Sequence, residues 1–405
     1  RRFRHAIASA AVMAVLLAPV AHSALASRSI EIQNQVENLQ WGSQNLAPTA
    51  ADNVELPKIQ VALVLDTSNS LDGLIDPTPN QLWQVVNELS SARQNGVRPN
   101  LEIALFEYGN DGNASSEGYV RMLNGLTREL DAVSAGLFSL TTNGGSEYCG
   151  FAIEIAVNSL QWSQSESDIK TIFIAGNESF AQGPVNYRAA ARLAEQQGIS
   201  INTIHAGSHE EGVRDQWRSG ALLAGGDYMS IDANQQVVHI VAPQDDRIAE
   251  LNASLNQTYL PYGESGADSA ERQMEQDALS SGISAGLLAK RAKSKASDFY
   301  DNSNWDLVDA FKEGKVEAEE LAQMEDDKLP EPMLGMSAQQ KLDYVQQQAQ
   351  ARSRIQQEIS ELSESRAAYV AEKKREQVVA APSMSDALTE AIKKQADQKN
   401  FSFDE

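Results

Sequence analysis

Between residues 58 and 235 two spacings of apolar residues alternate. "KIQVALVLD" (58–66), "LEIALFEYG" (101–109), "GYVRML" (118–123), "IKTIFIAG" (169–176), "ISINTIHAG" (199–207) and "DYMSID" (227–232) are short, apolar-rich runs. Runs of that length bounded by polar residues read as strands. Between them, "NQLWQVVNELSSARQ", "TRELDAVSAGLFSL", "CGFAIEIAVNSLQW", "NYRAAARLAEQQ" and "EEGVRDQWRSGALLA" place apolar residues at helical spacing. Nearly continuous apolar strands separated by helices predict an α/β fold: a doubly wound, mostly parallel sheet with helices on both faces. Ligands of such sheets bind outside the carboxyl ends of the strands.

The pattern changes on either side. Residues 27–57 are polar around the amphipathic piece "IEIQNQVENLQW" and read as a lead-in helix and linker. Beyond about residue 240 the strand pattern stops. "DDRIAELNASLNQTYLPYG" reads as a helix closed by a Pro-Gly turn, and 265–310 is small and polar, with "NSNWDLVDAF" as its one apolar landmark. Tyr259, Tyr262 and Trp305 are the expected anchors of a docking region over 241–335. Residues 336–405 carry a long amphipathic helix, with Leu342, Val345 and Ala349, then Ile355, Ile359 and Leu362, at three-to-four spacing. That spacing predicts either a short coiled coil or a helix lying along its own domain. The stretch from Ala380 on reads as weakly ordered.

Residues 1–26 join a basic start, an apolar stretch from Ala6 to Val20 and a small-residue site at Ala24–Ala26. This is the layout of a secretory signal peptide, and it predicts a periplasmic or secreted soluble product. No later stretch is long and apolar enough to span a bilayer. The net charge of −23 argues against nucleic acid as a partner, because phosphate binding runs on Lys and Arg. One cysteine, Cys149, means no internal disulfide and no CxxC zinc site.

The first strand ends in "DTSNS". Asp66, Ser68 and Ser70 in a tight loop gather one carboxylate and two hydroxyls at the ligand-binding edge. Hard, mostly neutral oxygens of this kind suit Mg²⁺, Ca²⁺ or Mn²⁺. An ion held by few charges stays electrophilic and seeks a carboxylate from a partner.

With that loop in place, residues 58–240 resemble the von Willebrand factor type A domain and its metal-ion-dependent adhesion site. "VALVLDTSNS" is similar to the family's first metal loop. "TNGGSEYCGFAIEIAV" is similar to the second, with Ser146 on the ligand threonine. "KTIFIAGNESF" matches the strand that in the family ends in Thr-Asp-Gly, and "GISINTIHAG" and "LLAGGDYMSID" match the last two strands. The resemblance implies a divalent-metal-dependent protein-binding module without catalysis, whose partner offers an acidic residue to the ion. One departure stands out: Ala175, Gly176 and Asn177 replace the third-loop Thr-Asp-Gly, and Glu178 follows. Either Glu178 or Asn177 reaches the ion instead, or the site has one carboxylate fewer. Glu147, beside Ser146, is a further candidate ligand.

Three other readings compete. A scaffold or assembly factor would bind through the C-terminal helices and carry a degenerate metal site. An aspartic protease would need a second Asp-Thr/Ser-Gly run, and none exists. A Cys149–His205 hydrolase would place the thiol in a helix's first turn, where the dipole favours a thiolate; the competing reading is a small buried residue.

Overall fold

In the computed structural model, residues 56–71, 78–231, 240–376 and 384–403 are described. The signal-peptide stretch and nearly all of the lead-in lie outside them. The described strands, in chain order, are β1 (Lys58–Asp66), β2 (Ala92–Gln94), β3 (Asn100–Tyr108), β4 (Arg121–Thr127), β5 (Ile169–Gly176), β6 (Ser200–Ala206), β7 (Tyr228–Ile231) and β8 (Phe401–Phe403). The main sheet runs β4-β3-β1-β5-β6-β7, with every pairing parallel except that of β4 on β3. The expected doubly wound, mostly parallel sheet is therefore present. From β1 the chain moves to β3 on one side, and later elements extend the other side from β5. The crevice at the carboxyl ends of β1 and β5 is thus the switch point where such sheets bind ligands.

The helices of this half are α1 (Thr78–Leu89), α2 (Leu130–Phe138), α3 (Cys149–Ser159), α4 (Tyr187–Gln196), α5 (His209–Arg214) and α6 (Trp217–Leu223). Alternation along β1 divides them. Ile59, Val61, Leu63 and Leu65 face α1 and α2, whereas Ala62 and Val64 face α3, α4 and α6. The remaining helices are α7 (Asp245–Asn256), α8 (Gly266–Ile283), α9 (Ala285–Lys295), α10 (Leu307–Lys312), α11 (Ala318–Gln323), α12 (Ala338–Glu376) and α13 (Met384–Gln398).

These C-terminal helices join the sheet's own core. Leu251, Leu255, Leu287, Ile359, Leu388 and Ile392 lie in the same apolar cluster as Leu63 and Trp83. The stretch expected to be weakly ordered instead forms α13, and β8 pairs antiparallel with β2. Leu388, Ile392, Ala396 and Phe401 explain the difference, because each is buried. The long helix α12 packs on α7, α9 and α11, the second of the two placements its spacing allowed. Tyr259 and Trp305 are buried and stacked, with ring centroids 5.7 Å apart, and Arg352 lies 4.0 Å over Tyr259.

Other departures have local causes. β4 starts at Arg121 rather than at Gly118, because Gly118 and Tyr119 take φ of 64° and 59°, values an extended strand excludes. The helix expected over 210–224 is split at Gln216, whose φ is 73°. The "small and polar" stretch 265–310 contains α8 and α9. No apolar stripe announces α8, since its inward face is Ser269, Gln273, Gln276, Asp277 and Ser280. That face meets a buried ionic network: Arg291 bridges Asp131 and Asp277, each at 2.6 Å, and Lys295 reaches Asp277 at 2.9 Å.

Because α13 seals the sheet, Ile392→Ala is expected to destabilise the whole α/β unit by about 2–5 kcal/mol. Urea unfolding followed by tryptophan fluorescence should show one transition at lower midpoint. An unchanged midpoint would mean that α13 is not part of the core.

Candidate functional site

Asp66 is the last residue of β1, and its side chain is fully buried. Its Oδ1 accepts the backbone N–H of Ser68 at 2.8 Å, which curls the chain into a tight loop. The same loop brings Ser68 Oγ to 3.0 Å from Ser70 Oγ. Backbone bonds then fasten it to the second loop: Asn69 N donates to Gly144 O at 3.2 Å, and Asn143 N to Thr67 O at 2.9 Å. On the other side, Ser70 Oγ donates to Asn177 Oδ1 at 3.2 Å. The three predicted loops therefore converge on one point at the switch crevice.

Glu147 comes to the same point. It is buried, and Gln182 Oε1 fixes its backbone N–H at 2.6 Å. Gly109, at φ 79°, lies against both acids: a Cβ there would fall 2.8 Å from Asp66 Oδ1 and 3.0 Å from Glu147 Cγ. Gly176 closes the opposite wall, where a Cβ would lie 3.1 Å from Asp66 Oδ2 and 2.3 Å from the Tyr108 hydroxyl. Two glycines thus make room for two carboxylates. Ser146 is half-buried, and its backbone bridges Gly109. Glu178 is exposed; its carbonyl accepts the Trp217 indole N–H at 2.7 Å.

The electrostatics of the pocket are unusual. Asp66 Oδ2 and Glu147 Oε2 are both buried without a hydrogen-bond partner. Burial first, and then the facing Asp66 charge, push Glu147 up to about 9. Burial also pushes Asp66 up to about 6, with a proton held on Glu147 keeping it from rising further. The Glu178 charge adds to both shifts. A pair of like charges in a dry pocket needs a proton or a cation. Two carboxylates, the Ser68 and Ser70 hydroxyls and the Asn177 amide oxygen are hard oxygen donors, so the residues present fit a divalent ion. Among the described residues no group of three or more His, Cys, Asp or Glu side chains forms a cage.

Support for the loops was not legible in the sequence. Buried Glu107 accepts from Arg121 Nε at 2.7 Å and Asn113 Nδ2 at 3.0 Å, and it holds the Thr67 hydroxyl at 3.5 Å. Tyr108 donates to Ala175 O at 3.1 Å, tying the ends of β3 and β5. Only the "EYG" that ends the β3 run could have pointed to this.

Of the two readings of Cys149, the structure shows the small buried residue. The thiol lies in the core, 3.6 Å from the Tyr108 hydroxyl, and burial pushes it well above its ordinary range. The His205 ring faces Trp217 and the Asn177 carbonyl.

No protein-family model matches the chain, and no curated protein matches it. Solved structures similar to it include the conserved hypothetical protein BatB from Bacteroides thetaiotaomicron, at 16% identity over 43% of this chain and 90% of that one, TM-score 0.33. The SpRpn10 VWA domain is similar at 15% identity over 44% of this chain and 90% of that one, TM-score 0.32. Proximal thread matrix protein 1 from the mussel byssus, with a zinc-occupied MIDAS motif, is similar at 12% identity over 44% of this chain and 43% of that one, TM-score 0.33. The likeness covers less than half of this chain. The chemistry of the pocket stands on its own side chains.

Both acids have raised values, so the folded, metal-free protein holds protons that the unfolded chain releases. The stability they contribute is present below the ordinary carboxylate range and is lost as pH rises through about 6 and about 9. Melting in EDTA is expected to fall over that window in the wild type and to be flatter in Glu147→Gln. Equal slopes in the two proteins would show that the carboxylates are not in contact.

Proposed function

We propose that this chain is a protein-binding module whose contact runs through a divalent cation held between Asp66 and Glu147. The observation that carries the reading is the pair of buried, unpartnered carboxylate oxygens at the switch crevice. Asp66 and Glu147 would supply the charge. Ser68, Ser70 and Ser146 would coordinate through hydroxyls, with Asn177 or Glu178 completing the shell. In this reading Glu147 takes over the part of the missing third-loop aspartate. A bound Mg²⁺, Ca²⁺, Mn²⁺ or Zn²⁺ would neutralise the pair and leave a position open to a partner's carboxylate. No catalysis is required. The signal-like layout of residues 1–26 supports action in the periplasm or at the cell envelope, and no described helix is long and apolar enough to cross a membrane.

The scaffold reading finds less support. The apolar residues of α12, among them Leu342, Val345 and Ile359, are already buried within the chain. Ile359, Leu388, Ile392 and Phe401 belong to the sheet's core, so a truncation before α12 would unfold the site along with the helices.

Calorimetric titration of Mg²⁺, Ca²⁺, Mn²⁺ and Zn²⁺ into metal-stripped protein tests the proposal. Uptake by the wild type is expected, together with loss in Asp66→Ala and at least tenfold weakening in Glu147→Gln, about 1.4 kcal/mol or more. Undiminished uptake by Asp66→Ala would place the ion elsewhere and end this reading.

A further inference from the structure

Two facing carboxylates repel each other, so a chain that keeps both at one point must restrain them. The restraints here differ in kind. Asp66 is held through its own side chain, by the Ser68 N–H at 2.8 Å. Glu147 is held through its main chain, because its Oε2 has no hydrogen-bond partner. The hold comes from the continuation of the third loop, the connection over 177–186 between β5 and α4.

That connection is itself anchored. Phe180 is fully buried, its ring edge-on to Tyr187 and Trp217 with centroids 5.3 Å and 4.9 Å away. Its N–H donates to Asp215 O at 2.9 Å, and Gln182 N donates to Ser179 O at 2.9 Å, which closes a turn. The segment then grips the residues around Glu147 at three points. Glu147 N donates to Gln182 Oε1 at 2.6 Å. Gly183, at φ 94°, lies so close to Tyr148 that a Cβ there would fall 2.5 Å from the ring. Gly150, in the first turn of α3, leaves no room for a Cβ beside Val185 O and Tyr187 N. Only the Gln182 bond acts on Glu147 itself.

We infer that Gln182 is a positioning residue of the cation site: its bond to the Glu147 main chain keeps the second carboxylate facing Asp66. This deepens the proposed function and rests on it. The argument is one of preorganisation. In the absence of a cation the acids push apart, and a free backbone would let Glu147 turn outward to water. A backbone bonded to a core-anchored turn cannot follow. An arriving cation then meets both carboxylates in place and does not have to draw them together. The connection that offers Asn177 and Glu178 to the ion would thus also set the position of Glu147.

The test separates this role from ordinary structural support. Gln182→Met keeps the length of the side chain and removes the acceptor, whereas Gln182→Glu keeps an acceptor oxygen. The metal-stripped full chain is titrated calorimetrically with whichever of Mg²⁺, Ca²⁺, Mn²⁺ and Zn²⁺ the wild type takes up. Gln182→Met is expected to weaken uptake about tenfold or more, the usual effect of losing a bond that orients a metal ligand. Gln182→Glu should stay near the wild type. Melting in EDTA should not fall in Gln182→Met, because releasing Glu147 relieves the repulsion; a residue that merely braced the loop would lower affinity and melting together. Undiminished uptake by Gln182→Met would overturn the inference, as would equal weakening in Gln182→Glu, or weakening accompanied by a lower melting temperature in EDTA. Absence of cation uptake by the wild type is a different failure. It would remove the underlying reading and this inference with it.

Discussion

Two carboxylates cannot share a water-poor pocket unless something positive joins them. The upper edge of this sheet is built around that constraint. Asp66 ends the central strand, Glu147 enters from the loop before α3, and Gly109 and Gly176 leave out the side chains that would hold the acids apart. Ser68 bonds Asp66 directly, and the other bonds fix the loops: Glu107 anchors Thr67, Tyr108 ties β3 to β5, and Gln182 pins Glu147. An adjoining, equally buried part of the chain shows the alternative. Asp131, Asp277, Arg291 and Lys295 are matched acid to base, with short hydrogen bonds throughout. The chain thus pairs its buried ions acid to base there and sets two acids face to face here.

The matched network has a different task. A buried ion pair is a weak source of stability, because desolvation offsets most of the attraction. Its geometry is demanding, however, and that can fix a register. Asp131 belongs to α2, Asp277 to α8, and Arg291 and Lys295 to α9. The four groups tie α8 and α9 of the C-terminal region to α2 of the α/β half. The apolar contacts of Ile359, Leu388 and Ile392 join α12 and α13 to the sheet's core.

The α/β half was legible in the sequence because its strands are buried on both faces and announce themselves as apolar runs. The loop ending in Ser70 was legible because it follows such a run directly. Glu147 could be named only as a candidate, since its meeting with Asp66 depends on a glycine thirty-eight residues earlier in the chain, Gly109. The helix α8 was not legible. Periodicity arguments assume that the inward face is apolar, and here it carries Gln273, Gln276 and Asp277. The terminal segment hides its fold for another reason. "DALTEAIKKQA" spends few apolar residues, but each of Leu388, Ala391 and Ile392 lands on the sheet.

The closing contact between β2 and β8 also orders events in time. Residues 92–94 leave the ribosome long before residues 401–403, and the sheet face beneath α13 cannot be sealed until the latter arrive. Pairing across so long a separation is slow, because loop closure precedes the contacts that stabilise it. The closing segment also completes the core: a product cut short before α13 loses Leu388, which lines the same apolar cavity as Leu63, Leu82 and Phe173.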